Sequence, residues 1–384
     1  MTSGGRWWAP PRTPTRSANL SRKSSISSHS AKAAVSARRR LGWPGLLGLA
    51  ISVALLWWTL HDVALDQVGA ELRAARWWPL IASAVVCTLT FPLRTLRWRH
   101  LLADDVTTLG LLPLWHATAI GFMANNLLPA RAGEVARAYA ARHLTGLRFT
   151  AAFGSVAVER VLDGIVLVAL LQIAIAAGGI RADAGVGGVP LGRIATIALV
   201  LFGATLLLAL AVVHWPATAR RAARALSSRV LPQRFANRFM EILDGLLAGC
   251  DALRSGRRMM LVMFWSMMVW GAGAVSYWLG FRAFGLDVPW TGALLLQSLV
   301  AFGVAIPSSP GFFGPFEAVV RVTLALYAVP VAAAVSFAVI YHLAAFVPIT
   351  LLGLWSLSRA HLHLAQIRGG AEPAAGLQGG GAAG

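Results

Sequence analysis

Long uncharged apolar runs divided by short charged stretches set the pattern of this chain. They cover residues 41–60, 77–93, 106–130, 164–180, 194–213, 259–281, 288–316 and 322–358. Most reach or approach the ~20 residues that a helix needs to cross a bilayer. None shows the ten-residue alternation of an outer-membrane barrel strand. The pattern therefore predicts an all-α, polytopic membrane helix bundle of six to eight transmembrane helices. The last run is long enough for more than one helix, with Pro330 and Pro348 as breaks.

Two runs end differently from the rest. The run 106–130 closes with Asn125-Asn126-Leu127-Leu128-Pro129-Ala130 and continues Arg131-Ala132-Gly133-Glu134. The run 288–316 closes with Pro307-Ser308-Ser309-Pro310-Gly311-Phe312-Phe313-Gly314-Pro315-Phe316, and Glu317 follows. Proline interrupts the helical ladder, and such breaks persist at membrane depth only inside protein or beside a wet cavity.

The distribution of arginine tests whether these two runs cross. The loop 214–258 holds nine arginines against Glu241, Asp244 and Asp251, and 131–148 holds four arginines against Glu134. A single crossing by 106–130 puts both basic stretches outside. A hairpin there puts both inside, together with the basic N-terminal tail, and a second hairpin at 288–316 brings the C-terminus inside as well. The charge bias favours the hairpins. The expected layout is six crossings plus two broken, re-entrant elements entered from opposite sides, an inverted repeat with its site at the repeat interface. Eight plain crossings with a local exception to the charge rule is the alternative. Within the basic loop, Phe235, Phe239, Ile242, Leu243, Leu246, Leu247, Cys250 and Leu253 share one face of a helix over 234–253. That helix either lies on the inner leaflet or packs on the bundle.

Composition narrows the classes. With 57% apolar and 13% charged residues, the 384-residue chain is neither a soluble domain nor a disordered one. Two cysteines, Cys87 and Cys250, make no disulfide framework. The net charge of +19 reads as a topology signal before a nucleic-acid signal. Lys23 and Lys32 are the only lysines, so no Walker-type phosphate loop exists and no ATP hydrolysis by the chain is expected. The bias of 32 arginines against two lysines hints at a GC-rich bacterial source. Residues 1–40 carry nine basic residues and no acid, the composition of a disordered cytoplasmic tail. A cleaved signal peptide is not expected, because the run to Leu60 ends in Trp57-Trp58-Thr59 with no small-residue site. Residues 359–384 form a Gly/Ala-rich tail of the same disordered kind.

The candidate chemistry lies in charges beside the apolar runs. Arg94 and Arg97 stand at the inner end of the second crossing. Arg131, Glu134 and Arg137 follow the first break near one helical face, and Glu159, Arg160 and Asp163 share a face before the run 164–180. Glu317 stands beyond the second break with Arg321 one turn on. Arginines balanced by carboxylates suit an anionic phosphate headgroup, and helix starts after Pro129 and Pro310 would add backbone N–H groups. Snorkelling is the plainer account for Arg94, Arg97, Arg99 and Arg148. For Glu134, Arg160, Asp163 and Glu317, function is the stronger one. His116 and His342 read as packed, His361 and His363 lack metal partners, and Asp104-Asp105 reads as a loop end. No catalytic motif, metal set or cofactor site emerges.

In this order, these residues resemble the transmembrane domain of the lysylphosphatidylglycerol synthase, or flippase-like, membrane family. The likeness spans roughly residues 45–357. It rests on Arg94-x-x-Arg97-Trp98, on Gly121-Phe122 through Asn125 and Leu128-Pro129-x-Arg131-x-Gly133-Glu134 to Arg137, on Glu159-Arg160-x-x-Asp163, and on Pro307-x-x-Pro310-Gly311-x-x-Gly314-x-x-Glu317. The resemblance implies an inner-membrane protein that moves, or helps move, a polar or aminoacylated lipid between leaflets. Some relatives are associated with polyprenyl-linked sugars or hopanoids. Bifunctional members carry a soluble aminoacyl-transfer domain after the membrane part. The tail from Arg359 is too short for one, so lipid aminoacylation is not implied.

The expected protein is a flippase rather than an enzyme, with both termini cytoplasmic. Its expected substrate-binding set is Arg94, Arg97, Asn125, Asn126, Arg131, Glu134, Arg137, Glu159, Arg160, Asp163, Pro310, Gly311, Gly314 and Glu317. Expected partners are membrane lipids, the anionic inner leaflet through the basic tail and loop, and a lipid synthase or a second copy of the chain, but no nucleic acid. The rivals are a membrane-embedded enzyme acting on a lipid-linked phosphate and an accessory subunit of a lipid synthase.

Overall fold

A computed structural model describes residues 43–61, 63, 65–102, 110–128, 131–180, 183–230, 232–249, 255–305 and 308–364. The readings placed on the tail 1–40, on the end of the C-terminal tail, and on Asp104-Asp105, Pro129, Pro307, Cys250 and Leu253 lie outside those residues. Of the described residues 84% are helical. The helices are α1 (Trp43–Leu60), α2 (Leu65–Ala74), α3 (Trp77–Leu101), α4 (Leu111–Leu127), α5 (Gly133–Thr145), α6 (Phe149–Ala177), α7 (Leu191–His214), α8 (Pro216–Val230), α9 (Gln233–Gly249), α10 (Gly256–Ala283), α11 (Trp290–Gly303), α12 (Pro315–Ala325) and α13 (Val331–Arg359). A two-residue turn at Gly187-Gly188, both at positive φ, closes a minimal antiparallel pair of Gly185–Val186 with Val189–Pro190. The features that follow belong to the compact unit formed by the described residues from Leu47 on.

Five helices, α3, α6, α7, α10 and α13, are long and apolar enough to cross a membrane; α1 and α11 contribute shorter apolar segments. The protein is therefore a multi-pass membrane protein. The run 322–358 divides as its prolines suggest at one point only. Pro330 precedes α13, whereas Pro348 sits inside that helix. Leu199, Val200, Leu201, Leu207 and Leu208 leave α7 largely exposed, as suits a lipid-facing helix at the edge of the bundle.

Both broken runs are helical hairpins. In the first, Gly121 lies against Arg137 and Asn125 against Gly133, a register that only antiparallel helices produce. A Cβ on Gly133 would strike the Gly121 carbonyl and the Asn125 side chain, so glycine is what lets α4 and α5 approach. In the second, Gly303 abuts Val319 and Gly292 abuts Tyr327, so α11 and α12 are antiparallel too. At 14 and 11 residues these two are about 21 and 17 Å long, too short to cross a ~30 Å core singly.

The halves α3–α6 and α10–α13 pack reciprocally. Each helix that precedes a hairpin, α3 or α10, packs on the other. The Ser83 hydroxyl donates to the Ser276 carbonyl and the Ser276 hydroxyl to the Ser83 carbonyl, while Arg76 N–H bonds the Ala283 carbonyl, so α3 and α10 run antiparallel about a local two-fold. Each helix that follows a hairpin packs on the first helix of the opposite hairpin. Thus α6 packs on α11, and α13 on α4, where Gly353 meets Met123 and Asn126 donates to Thr350. This exchange is the geometry of an inverted repeat.

The amphipathic helix of the basic loop is α9. Ala236 and Leu247 are buried, Gly245 packs on Thr150 of α6, and Phe235, Phe239 and Ile242 stay exposed. It is docked on the bundle by one face while keeping an apolar edge outside.

Candidate functional site: a buried guanidinium–carboxylate cluster

The charged residues before the run 164–180 are not at a helix end. The helix α6 begins at Phe149, so Glu159 is its eleventh residue, about 16 Å from its start. Glu159 and Asp163, one turn apart, face α3 and α5 and collect arginines from both. Glu159 Oε1 accepts from Arg137 at 2.9 Å and Arg160 at 2.5 Å and makes an ion pair with Arg97 at 2.8 Å. Asp163 Oδ1 lies 2.5 Å from Arg97 Nη1, and its Oδ2 lies 3.2 Å from Arg160. The α10 helix completes the shell: Trp270 Nε1–H donates to Asp163 Oδ1 at 2.8 Å, and Ser266 Oγ accepts from Arg97 at 3.2 Å. Arg137 also lies 3.9 Å over the Trp98 ring, whose N–H donates to Ser155.

Arg97 has no exposed side-chain surface, which corrects the snorkelling account for this residue. It is the centre of the cluster, because ion pairs of this kind compensate charges removed from water. Arg94 differs. Its guanidinium lies 4.9 Å from the Phe122 ring and 5.5 Å from the Trp270 ring, and it makes no hydrogen bond or ion pair among the described residues.

The pairing is incomplete. Three guanidiniums converge on one oxygen of Glu159. Glu159 Oε2, Arg137 Nε and Nη2, Arg160 Nε and Arg97 Nε are buried without a hydrogen-bond partner. Buried polar groups are rarely left so. Arg137 and Arg160 both line a cleft of about 20 Å3, together with Gly121, Phe122, Asn125 and Glu134. Glu134, in the first turn of α5, makes no hydrogen bond or ion pair of its own among the described residues.

The expected alignment of Arg131 with Glu134 and Arg137 does not form. Arg131 precedes α5 with φ of 52°, donates to the Val304 carbonyl beyond α11 and lies 5.7 Å over Phe312, so it ties the first break to the second. Nor are the sampled helix-start amides open. Gly133 N–H donates to Asn125 Oδ1 at 2.8 Å, and Gly314 N–H to Glu317 Oε2 at 2.7 Å. Asn126 donates to Thr350 and to the Phe346 carbonyl. Asn125, Asn126 and Arg131 thus hold the breaks in shape.

Glu317 pairs with His342, which is therefore not merely packed. Glu317 Oε1 lies 2.7 Å from His342 Nδ1, both buried, while Arg321 donates to the Trp58 and Thr59 carbonyls of α1. Around this pair the turn Pro310–Phe312 and Gly314 fold tightly. Gly311 and Gly314 have φ of 74° and 97°, and Phe312 has φ of 62°, a conformation that costs an L residue roughly 1–2 kcal/mol. A Cβ on Gly314 would strike the Ser52 carbonyl of α1, and one on Gly311 the Phe346 ring. Pro310, Gly311 and Gly314 therefore shape the break.

Sequence reasoning missed Ser266, Trp270 and His342. Ser266 and Trp270 are spaced four apart on α10, a signal of one shared face. Nothing local ties His342 to an acid 25 residues away. Among the described residues no three of His, Cys, Asp and Glu come together as a metal set.

An inverted-repeat bundle with a buried, arginine-rich cluster between its halves defines a polytopic membrane protein built around an internal polar site. The chain belongs to the family described as the lysylphosphatidylglycerol synthase TM region, which it matches over residues 45–353. It is also similar to a protein named Glycosyltransferase AglD from Haloferax volcanii, 28% identical over 327 residues that cover 78% of this chain and 51% of that relative. The chain therefore spans about half the length of that curated relative. No solved structure matches. Family and relative together place the protein in membrane-lipid-related function.

Proposed function

We propose that the protein translocates a polar, anionic lipid between the leaflets and performs neither covalent chemistry nor ATP hydrolysis. The observation that carries this reading is the set of unpartnered donors on Arg137 and Arg160, two residues that line the cleft. Around Glu134, Glu159 and Asp163 stand Arg94, Arg97, Arg131, Arg137 and Arg160, five positive charges against three negative. An anionic phosphate would offset part of that excess, and Arg edges bind it in a planar, two-bonded way. Glu134 would take an amine or hydroxyl of an aminoacylated or glycosylated headgroup.

At about 20 Å3 the cleft has room for one water and not for a headgroup, so the hairpins would part to admit one. The Arg131 bond to Val304 joins the two breaks, and opening one would disturb the other, as alternating access at a repeat interface requires. The arginine bias of the loop 214–258 supports cytoplasmic termini and an inner-membrane setting, with α8 and α9 against the anionic leaflet. A lipid synthase or a second copy of the chain remains the proposed protein partner.

The test is leaflet exchange in reconstituted vesicles, using head-group-labelled anionic, aminoacylated and glycosylated lipids and an impermeant quencher. Exchange of one class at least tenfold faster than in protein-free vesicles, reduced at least tenfold by Arg160→Gln and by Arg94→Gln, is expected. No acceleration with any class refutes translocation.

A further inference from the structure

The second hairpin carries a buried acid–base pair that anion binding does not use. Glu317 Oε1 meets His342 Nδ1, and Glu317 Oε2 accepts the Gly314 N–H. The His342 ring lies among Phe313, Phe316 and Phe346, with centroids 4.6, 4.3 and 6.3 Å away. Its side chain keeps 9% of its surface exposed against 2% for Glu317, so the imidazole is the more open end of the pair.

Resting on the translocation reading, we infer that Glu317 and His342 form a proton-binding site that couples opening of the second hairpin to proton movement, making a proton the coupling ion of transport.

The argument is one of donors and acceptors. With a neutral imidazole, Nδ1–H donates to the Glu317 carboxylate and the pair carries one negative charge. A first proton settles on the other ring nitrogen. Both bonds to Glu317 persist, and the pair becomes neutral. A second proton must settle on the carboxylate, where both oxygens already face donors, the imidazolium N–H and the Gly314 N–H. The oxygen that takes the proton becomes a donor and a poorer acceptor; on Oε2, the oxygen away from the imidazolium, the bond weakened is the one from Gly314. Gly314 lies three residues beyond Gly311, and both hold φ values that favour glycine. The proton therefore acts on the backbone that closes the second break. Phe346 connects this event to the first hairpin, because its ring contacts Phe313 and its carbonyl accepts from Asn126.

Among the bonds given for the described residues, those to the pair come from Gly314 and from within the pair itself. On the elements packed around it, α12 carries Arg321, engaged with α1, and α13 carries Tyr341, bonded to Ser276. The α4 helix carries His116, beside Trp355, and Arg131 of the first break lies over Phe312. The α3 helix carries Cys87, Arg94, Arg97, Arg99 and His100; α2 carries Asp66, Glu71 and Arg73; α10 carries Arg257, Arg258, Tyr277 and Arg282; and α13 ends in Arg359. The α1 and α11 helices carry none.

The test has two arms. Hydrogen exchange at the Gly314 amide, corrected for the chemical exchange rate, is followed on the purified full chain from about pH 8 to about pH 3, the span over which imidazoles and then carboxylates ordinarily take up protons. Protection that falls at least tenfold in the wild type is expected. The response should move in pH in His342→Gln and be absent in Glu317→Gln. A wild-type protection independent of pH overturns the proton site. In the second arm, a pH gradient is imposed on vesicles that exchange a labelled anionic lipid. The expected result is net movement toward one leaflet, severalfold above the level without a gradient and abolished by Glu317→Gln. Exchange indifferent to the gradient overturns coupling and leaves translocation standing. Absence of all exchange refutes translocation, while the amide arm still decides whether the pair binds the proton.

Discussion

Removing the charge of Glu159 should destabilise the protein more than removing any one of the arginines that converge on it. Glu159 Oε1 is the shared partner of Arg97, Arg137 and Arg160, whose side chains are 0%, 4% and 37% exposed. In Glu159→Gln, Arg97 and Arg160 retain Asp163, but Arg137 loses its one acidic partner among the described residues. Stripping one partner from a buried ion pair costs about 3–5 kcal/mol, mostly the penalty of the stranded charge. The half-exposed Arg160 adds little, since water screens it. Arg137→Met instead removes the charge that would be stranded. It loses a charge-assisted hydrogen bond and the stacking on Trp98, about 2–3 kcal/mol together. The double variant strands nothing, so its cost should fall short of the sum by roughly 1–3 kcal/mol, the range of coupling between groups in contact. The assay is a double-mutant cycle on the purified chain in micelles, read from denaturant unfolding where that is reversible and from thermal midpoints where it is not. Additivity within about 0.5 kcal/mol would refute the argument, because the two side chains would then not share a buried charge balance.

Gly133→Ala should lower the thermal midpoint by several degrees, since its methyl group would meet the Gly121 carbonyl and Asn125 and overpacking costs about 1–3 kcal/mol. Gly271→Ala, with open space around it, should leave the midpoint unchanged, and equal effects at both sites would contradict the close approach of α4 and α5. Trp270→Phe should cost about 1.5–3 kcal/mol by removing the N–H that reaches Asp163. A midpoint equal to that of the wild type would show that this bond contributes nothing to the cluster.

Much of the fold was legible because lipid leaves a chain few choices. Uninterrupted apolar runs must be helices, and the arginine bias favours hairpins at both Pro/Gly breaks over single crossings. The depth of the charges was not legible. The apolar run begins at Gly164, so Glu159 and Asp163 read as residues at a helix entrance. The structure starts α6 at Phe149, because the stretch Phe149–Val158 is itself apolar and buries Ala152, Ser155 and Val156. A search for uncharged runs stops at the first charge, and paired charges inside a helix escape it. The same limit hid His342. It sits in an apolar stretch with no local acid, and only the fold of the second hairpin brings Glu317 to it.

The two halves place similar devices at corresponding points and fill them differently. Both α6 and α13 are 29 residues long and follow a hairpin. Glu159 is the eleventh residue of the first and His342 the twelfth of the second. Each pairs with the early turns of the helix before it, Glu159 with Arg137 of α5 and His342 with Glu317 of α12. In one half the later helix supplies the acid and the hairpin the base; in the other the roles are exchanged. The chemistry then diverges. Arg137 belongs to a cluster with more guanidinium edges than carboxylate oxygens to receive them, so that half has unmet demand for an anion. Glu317 has one oxygen engaged by His342 and the other by the Gly314 N–H, so that half presents a buried acid with a base beside it, a place to hold a proton. A lipid phosphate and a proton would thus be taken up on opposite sides of one pseudo-two-fold axis, by hairpins that Arg131 already joins. Movement of either hairpin about that axis would change the surroundings of both ligands together.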